Sequence, residues 1–412
     1  MTDIICAEAT RQTLPPSSSD APFMTSSVTS PLPSTPTQKG PEGIRYDFVD
    51  GCRVQCPAGA QWRVRFRDLD TASILFDHRF DGGLVQSARR SCVRFGLEVW
   101  RAECLIFTHD FDLRGREVLI DMSRGALGDH LAWIGQVERF RRQHGCHLTC
   151  VLKAPLATLL RAAYPEIRML VSGETDEKSY YAAYKLCVFY NDDHGVFQPV
   201  DYRLAGLCGT AAYILGLEPE EVRPCLPASE ERRPIEEPYV CIATQASGQA
   251  KYWNNPYGWR TVVSYLKKRG FRVICIDQDA VSGSGLTWNH IPYGAEDQTG
   301  NRPLSERAWW LRHAEFFIGL SSGLSWLAWG AGCRVIMISG FTQPFNEFYT
   351  PWRVINRNVC NGCSNDPRYT LETSDYFWCP RYKNTPRQFE CSRNITPEQV
   401  ITTIEKLLIY PD

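Results

Sequence analysis

The stretch VLIDMSRGALGDHLAWIGQVERFRRQHG, residues 118–145, limits the fold more than any other part of the chain. It opens on the apolar run Val118-Leu119-Ile120, the length of a buried strand. A turn follows, with Gly125 and Gly128 on either side of Ala126-Leu127. Leu131, Ile134, Val137 and Phe140 then recur at helical spacing, and Arg139, Arg141 and Arg142 fall on the other side. Gly145 supplies the helix stop. Strand, glycine turn and helix make the first unit of a doubly wound α/β domain, whose ligands sit at the carboxyl ends of the strands. Asp129 stands where turn becomes helix, a place that suits a general base facing that crevice. The same place suits a helix cap, because Asp accepts from orphan N–H groups and favours the helix dipole. Both readings stand on this stretch alone, and a second, independent site is needed to separate them.

The remaining chain divides around this unit. Residues 1–43 are rich in Ser, Thr and Pro and poor in large apolar side chains, which predicts a disordered tail. Residues 44–115 alternate with period two, as in Trp62, Val64 and Phe66 against Arg63, Arg65 and Arg67, and predict a barrel-like antiparallel β-domain. Its arginines read as a solvated face, and Asp81-Gly82-Gly83 reads as a hairpin turn. Residues 116–228 alternate strand and helix, with a strand near Tyr184–Tyr190 and a helix from Asp201 to Leu217. Pro224, Pro227, Pro234 and Pro238 mark a linker. A second α/β domain over 229–350 opens on YVCIAT and includes a short helix at Ser325–Ala331. Residues 351–395 carry a cysteine finger, and 396–412 read as a terminal helix. The formal charge of −1 gives no basic field for nucleic acid. No apolar run reaches the length of a membrane span, and the N-terminus lacks a secretory pattern, so a cytoplasmic location is expected.

Two turns of the second domain offer donors to one place. In FFIGLSSGLSWLAW, Ser321, Ser322, Gly323 and Ser325 set hydroxyls and open backbone N–H groups at a helix N-terminus, which suits a diphosphate. A tight turn with a serine cap has the same residues. After YVCIAT the loop carries Thr244, Gln245, Ser247 and Lys251, and the lysine ammonium can swing toward the same anion. FRVICID ends in Asp277, which is placed to accept from a ribose hydroxyl. No Asp-x-Asp pair follows a strand end nearby, so no catalytic divalent cation is expected.

Thirteen of the 17 cysteines are scattered, and several lie in apolar runs as small buried hydrophobes. The last four differ. Cys360-Asn361-Gly362-Cys363 is a C-x-x-C knuckle followed by Cys379 and Cys391, a set able to close a tetrahedral structural site. Ligand type alone favours zinc or iron–sulfur chemistry, and a disulfide is disfavoured in a cytosolic chain.

GALGDHLAW at 125–133, TQASGQAKYW at 244–253 and GLSSGLSWLAW at 319–329 together resemble the ADP-heptose glycosyltransferases. In the lipopolysaccharide-core heptosyltransferases the first motif carries a catalytic aspartate, which aligns with Asp129, and the loop lysine aligns with Lys251. Their Asp-Thr-Gly-Leu-Ser-His turn aligns with Ser321 to Trp326, so here serine replaces the aspartate and tryptophan the histidine. Those departures, with the β-domain and the cysteine finger, resemble the bacterial autotransporter heptosyltransferases from about Pro36 to the end of the chain.

This resemblance implies a two-lobed GT-B-type fold of twin Rossmann-like domains. It implies inverting transfer of glycero-manno-heptose from ADP-heptose to Ser/Thr hydroxyls of an autotransporter adhesin passenger, with Asp129 as base. Donor contacts would come from Ala126, Leu127, Gly128, Thr244, Gln245, Ser247, Lys251, Asp277, Ser321, Ser322, Gly323 and Leu324. It further implies a structural Fe(3+) ion in each chain on Cys360, Cys363, Cys379 and Cys391, and assembly into a dodecamer. The competing expectations are a lipopolysaccharide-core heptosyltransferase and a non-catalytic assembly protein.

Overall fold

The structure, a computed structural model, describes residues 33–174, 176–228 and 232–410. Most of the expected tail, and the middle of the expected linker, lie outside the described residues. The end of the tail span is held in place. Arg53 and Arg45 donate to the carbonyls of Pro33 and Pro36 at 2.8 and 2.7 Å, and the Thr37 hydroxyl donates to Tyr180 O at 2.7 Å. Residues 33–43 therefore belong with the folded β-domain, because arginines further along the chain engage this segment's backbone acceptors.

Eight strands form the β-domain: β1 (Gln38–Lys39), β2 (Arg45–Asp47), β3 (Arg53–Cys56), β4 (Trp62–Asp68), β5 (Ile74–Phe80), β6 (Gly83–Gln86), β7 (Phe95–Arg101) and β8 (Cys104–Asp110). They make two antiparallel sheets, ordered β1-β2-β3-β6 and β5-β4-β7-β8. Trp62, Val64 and Phe66 point inward. Arg63, Arg65 and Arg67 point outward and pair with Asp77 and Glu98 at 2.6–3.3 Å. Exposed pairs of this kind contribute about 0–1 kcal/mol each, so the row is a solvated face, as expected. The hairpin expected at Asp81-Gly82-Gly83 is absent: β5 pairs with β4, and β6 pairs with β3. Gly82 has φ 103° and lies against Pro57, so this turn carries the chain from one sheet to the other.

The β-domain and first lobe share one apolar core. Phe48 bridges in parallel to Ala182, with Phe48 N donating to Tyr181 O at 2.8 Å, and its ring meets those of Phe111 and Tyr181. The first lobe has β9 (Glu117–Asp121), α1 (Leu127–His144), β10 (His147–Leu152), α2 (Ala154–Leu160), β11 (Ile167–Val171), β12 (Ala182–Lys185) and α3 (Tyr202–Ile214). Its parallel sheet runs β11-β10-β9-β12. Gly145 ends α1 with φ 60°. The strand expected at Tyr184–Tyr190 is instead Ala182–Lys185, since these are the residues that pair with β9.

The second lobe has β13 (Tyr239–Ile242), α4 (Gly258–Lys268), β14 (Arg272–Cys275), the hairpin β15 (Val281–Ser284) and β16 (Thr287–His290), β17 (Glu296–Asp297), α5 (Leu304–His313), β18 (Phe317–Leu320), α6 (Gly323–Gly330), β19 (Val335–Ile338) and β20 (Arg353–Val354). The main sheet is parallel, in the order β17-β14-β13-β18-β19-β20. The finger follows and includes the short α7 (Glu390–Arg393). The last helix, α8 (Pro397–Ile409), starts at a Thr396/Gln399 capping box and packs Val400, Ile404 and Leu407 against Val262, Val263 and Leu266. Among the described residues no helix is long and apolar enough to cross a membrane.

Candidate active site

The lobes meet where α1 and α6 begin. A Cβ placed on Gly323 would lie 2.7 Å from Leu127 Cβ and 3.0 Å from Gly128 N, and one on Gly128 would lie 3.0 Å from Trp326 Cδ1. Both glycines are therefore required by close approach, and two helix N-termini share one crevice. Trp326 is fully buried beside Phe348 and Trp329, with ring centroids 5.1 and 5.8 Å away. It is a packing wedge between the lobes, which accounts for an indole at this position.

On the first lobe, Asp129 is half-buried and its Oδ2 accepts from Ala126 N at 2.7 Å. The capping role weighed above is thus present. Among the described residues Oδ1 accepts no hydrogen bond, which leaves a lone pair for other use. Cys187 and Tyr190, which follow β12, feel this carboxylate. Burial chiefly, and Asp129 in addition, push the Tyr190 phenol up. The Cys187 thiol is raised chiefly by burial, lowered by Arg124 and raised by Asp129. Arg124 is exposed and makes no hydrogen bond or ion pair among the described residues. Arg124 and Tyr190 were not singled out from sequence. For Arg124 a signal existed, an arginine inside the turn motif; Tyr190 had none, because its place depends on the loop after β12.

On the second lobe, Lys251 ends a short helical turn in the loop after β13, and its Nζ lies 5.5 Å from the centre of the Phe341 ring beyond β19. β18 lies between those two strands, so this reach brings the amine across its carboxyl end, where α6 starts. The first-turn N–H groups of Gly323 and Leu324 have no acceptor within the helix, and Ser322 caps with extended backbone, making no side-chain cap bond. Ser247 is exposed.

Asp277 does not face a ribose site. It is 1% exposed, and its carboxylate accepts from Thr244 N, Thr244 Oγ1 and Gln245 N at 2.7, 2.9 and 3.2 Å. Its oxygens hold the loop in shape, and burial raises its pKa against the opposing effect of those bonds. The Ser321 hydroxyl is likewise engaged, donating to buried Glu347. Thr244 and Ser321 thus use their hydroxyls inside the protein.

The finger packs on the loop after β13. Gln249 N donates to Tyr376 O at 2.8 Å, and Ala250 and Phe341 join Cys363, Trp378, Cys379 and Phe389 in one apolar cluster. Arg203 of α3 donates to the carbonyls of Pro367 and Tyr369, both at 3.0 Å, and ties the finger to the first lobe as well. All four finger thiols are free. They are neighbours: burial first, then Cys360, Cys363 and Cys379, raise the Cys391 thiol. Gly362, at φ 69°, makes the tight turn of the knuckle. Among the described residues, however, no three His, Cys, Asp or Glu side chains are drawn to ligating distance.

Residues 40–103 match the family model "Glycosyltransferase TibC, N-terminal domain", and residues 214–375 match "Glycosyltransferase family 9 (heptosyltransferase)". The chain is 48% identical over 377 residues to the autotransporter heptosyltransferase TibC of Escherichia coli O78:H11, covering 91% of this chain and 92% of that protein. It is 41% identical over 380 residues to the inactive autotransporter heptosyltransferase BimC of Burkholderia thailandensis, covering 92% and 89%. It also superposes, with a TM-score of 0.89 and 48% identity, on the crystal structure of the dodecameric iron-containing heptosyltransferase TibC in complex with ADP-D-beta-D-heptose, covering 92% of this chain and 99% of that one. Likeness at this level spans active and inactive proteins, so particular weight falls on this chain's own site residues.

Proposed function

The chain belongs to the autotransporter heptosyltransferases, and from that premise we propose that it transfers heptose from ADP-heptose to serine or threonine hydroxyls of an autotransporter passenger, with Asp129 as base. The observation that carries this reading is the contact of α1 and α6 through Gly128 and Gly323. It supports a crevice to which one lobe brings the first turn of α1, with Asp129, and the other the N-terminus of α6.

In the reaction, Asp129 Oδ1 takes the proton of the acceptor hydroxyl as that oxygen attacks the anomeric carbon. The bond from this carbon to the β-phosphate oxygen breaks, and ADP leaves with the electron pair, inverting the centre. Lys251 and the N–H groups of Gly323 and Leu324 hold the charge that gathers on the diphosphate. A positioned base contributes about 10²–10⁴-fold to such a step.

Cys360, Cys363, Cys379 and Cys391 would hold a structural iron. The clustering of four thiols around a glycine turn supports this, and loading would require them to close by a side-chain movement. Bound there, the ion would cross-link the finger internally, stiffening the segment that packs on the Gln249 loop, and take no part in transfer. Assembly into a dodecamer, as in the similar crystal structure, and a cytoplasmic site of action complete the reading.

The test is Asp129→Asn with a purified passenger as acceptor, read by intact mass, and with a truncated lipopolysaccharide core in parallel. Transfer to the passenger should vanish while ADP-heptose binding stays measurable by calorimetry. Near-normal turnover by the variant overturns the base assignment, and transfer to the lipid core alone overturns the acceptor assignment.

A further inference from the structure

We propose that His130 is the positioning residue for the Asp129 carboxylate, acting through the Ala126 backbone that both side chains hold. The proposal rests on the reading of Asp129 as base.

Ala126 is clamped from two directions. Its N–H donates to Asp129 Oδ2 at 2.7 Å. Its carbonyl accepts from His130 Nδ1 at 2.7 Å and from His130 N at 3.2 Å. A carbonyl can only accept, so Nδ1 carries the proton, and in the neutral ring Nε2 is a bare acceptor. That nitrogen is buried and has no partner among the described residues. Leaving a buried acceptor unmade is unfavourable, and an apolar ring of similar size would avoid it. What the imidazole supplies that such a ring cannot is the Nδ1–H bond to Ala126.

The surroundings are built for this ring. His130 is 0% exposed. A Cβ on Gly125 would lie 2.9 Å from Nδ1 and 3.0 Å from Cε1, so the glycine leaves room for it. Ala126 is the N-cap of α1 and has no side chain to fix its own peptide. Without His130, the Ala126 backbone is held by one side-chain bond fewer, and the Asp129 carboxylate that meets its N–H loses orientation.

The groups around the pair are few. Burial pushes the His130 imidazole down, the bond to Ala126 raises it, and Asp129, Lys153 and Asp121 act on it more weakly. From the segment after β12, Cys187 and Tyr190 face Asp129, with Arg124 on the turn itself. The α6 side presents Gly323 and Trp326, neither of which titrates.

The experiment compares His130→Phe and His130→Leu, which remove the donor, with His130→Asn, whose amide nitrogen overlies Nδ1. Asp129→Asn and the unaltered enzyme are run beside them. His130→Phe should lower kcat about 10- to 100-fold, as expected for a misaimed catalytic group, while the Kd for ADP stays unchanged. His130→Asn should recover most of kcat. The proposal is overturned if Asp129→Asn is inactive but folded His130→Phe keeps normal kcat, or if His130→Asn falls as far as His130→Phe. If Phe and Leu both fail to fold, the Asn variant decides: loss of kcat with ADP affinity retained overturns the proposal, and retained kcat supports it. Full activity of Asp129→Asn would instead sink the base assignment itself.

Discussion

The hydroxyl of Ser321 donates to the buried carboxylate of Glu347, a residue 26 positions further along the chain. Glu347 also accepts from Thr342 Oγ1 at 3.1 Å, Asn346 Nδ2 at 2.9 Å and Arg353 Nη1 at 2.9 Å. A carboxylate thus reaches the Ser321 turn from another loop, with its charge neutralised by Arg353. Glu347→Ala should therefore destabilise the fold by about 3–5 kcal/mol, because it leaves a buried guanidinium unpaired. Ser321→Ala should cost about 1 kcal/mol and leave ADP affinity unchanged. Urea unfolding and calorimetry measure the two, and a tenfold loss of ADP affinity in Ser321→Ala would return that hydroxyl to the ligand.

Lys251 has no carboxylate partner among the described residues and lies over Phe341. Its ammonium is free to meet a diphosphate. Charge-assisted hydrogen bonds contribute about 1.5–3 kcal/mol, so Lys251→Ala should weaken ADP binding by about 10- to 150-fold. An unaltered Kd removes the lysine from the donor site.

The closeness of Gly323 to Leu127 and Gly128 leaves no space for a methyl group. Gly323→Ala should overpack the seam between the lobes, cost about 1–3 kcal/mol, and lower both Tm and transfer rate. A variant as stable and as active as the parent would mean that the lobes do not close on this glycine.

Burial raises the Asp277 carboxyl above its ordinary value. The folded state then holds this proton more tightly than the unfolded chain, whose Asp titrates near about 3.9. Its contribution to stability is fully present below that pH and is lost as pH rises through the folded value. Subtracting the stability–pH curve of Asp277→Asn from that of the parent should give a difference that grows as pH falls from neutral toward about 4. A flat or oppositely sloped difference contradicts the raised value. Asn should also destabilise at pH 7, because its amide group would face the Thr244 and Gln245 N–H donors.

Replacing Cys360 and Cys363 with Ser should remove iron and reduce the oligomer, as read by elemental analysis and sedimentation. The finger holds Gln249 through Tyr376 and packs on Ala250 and Phe341. The same variant should therefore weaken ADP binding, by about tenfold or 1.4 kcal/mol. Metal content equal to the parent's refutes the four-cysteine site.

Much of the scaffold was legible because its signals are local. The three apolar residues 118–120, the glycines of the turn and the periodic face of α1 specify strand, turn and helix without reference to anything distant. The same holds for the Trp62, Val64 and Phe66 alternation. The errors lie where pairing partners are remote. Asp81-Gly82-Gly83 has hairpin chemistry, yet β6 found β3. Asp277 stands at the end of a strand as a ribose ligand would, yet the loop from β13 folds back and consumes both its oxygens.

The sequence by itself determined the two strand–turn–helix units, the glycines that let backbones approach, and the residue types at each turn, because these depend on short-range sterics and on hydrophobic period. Which side chain meets which was decided in three dimensions. Trp326 became a wedge, Ser321 found Glu347, His130 and Asp129 closed on the two sides of Ala126, and the finger docked on the lysine loop. Those outcomes depend on burial and on the satisfaction of polar groups far apart in the chain, and such terms exist only once the lobes have packed.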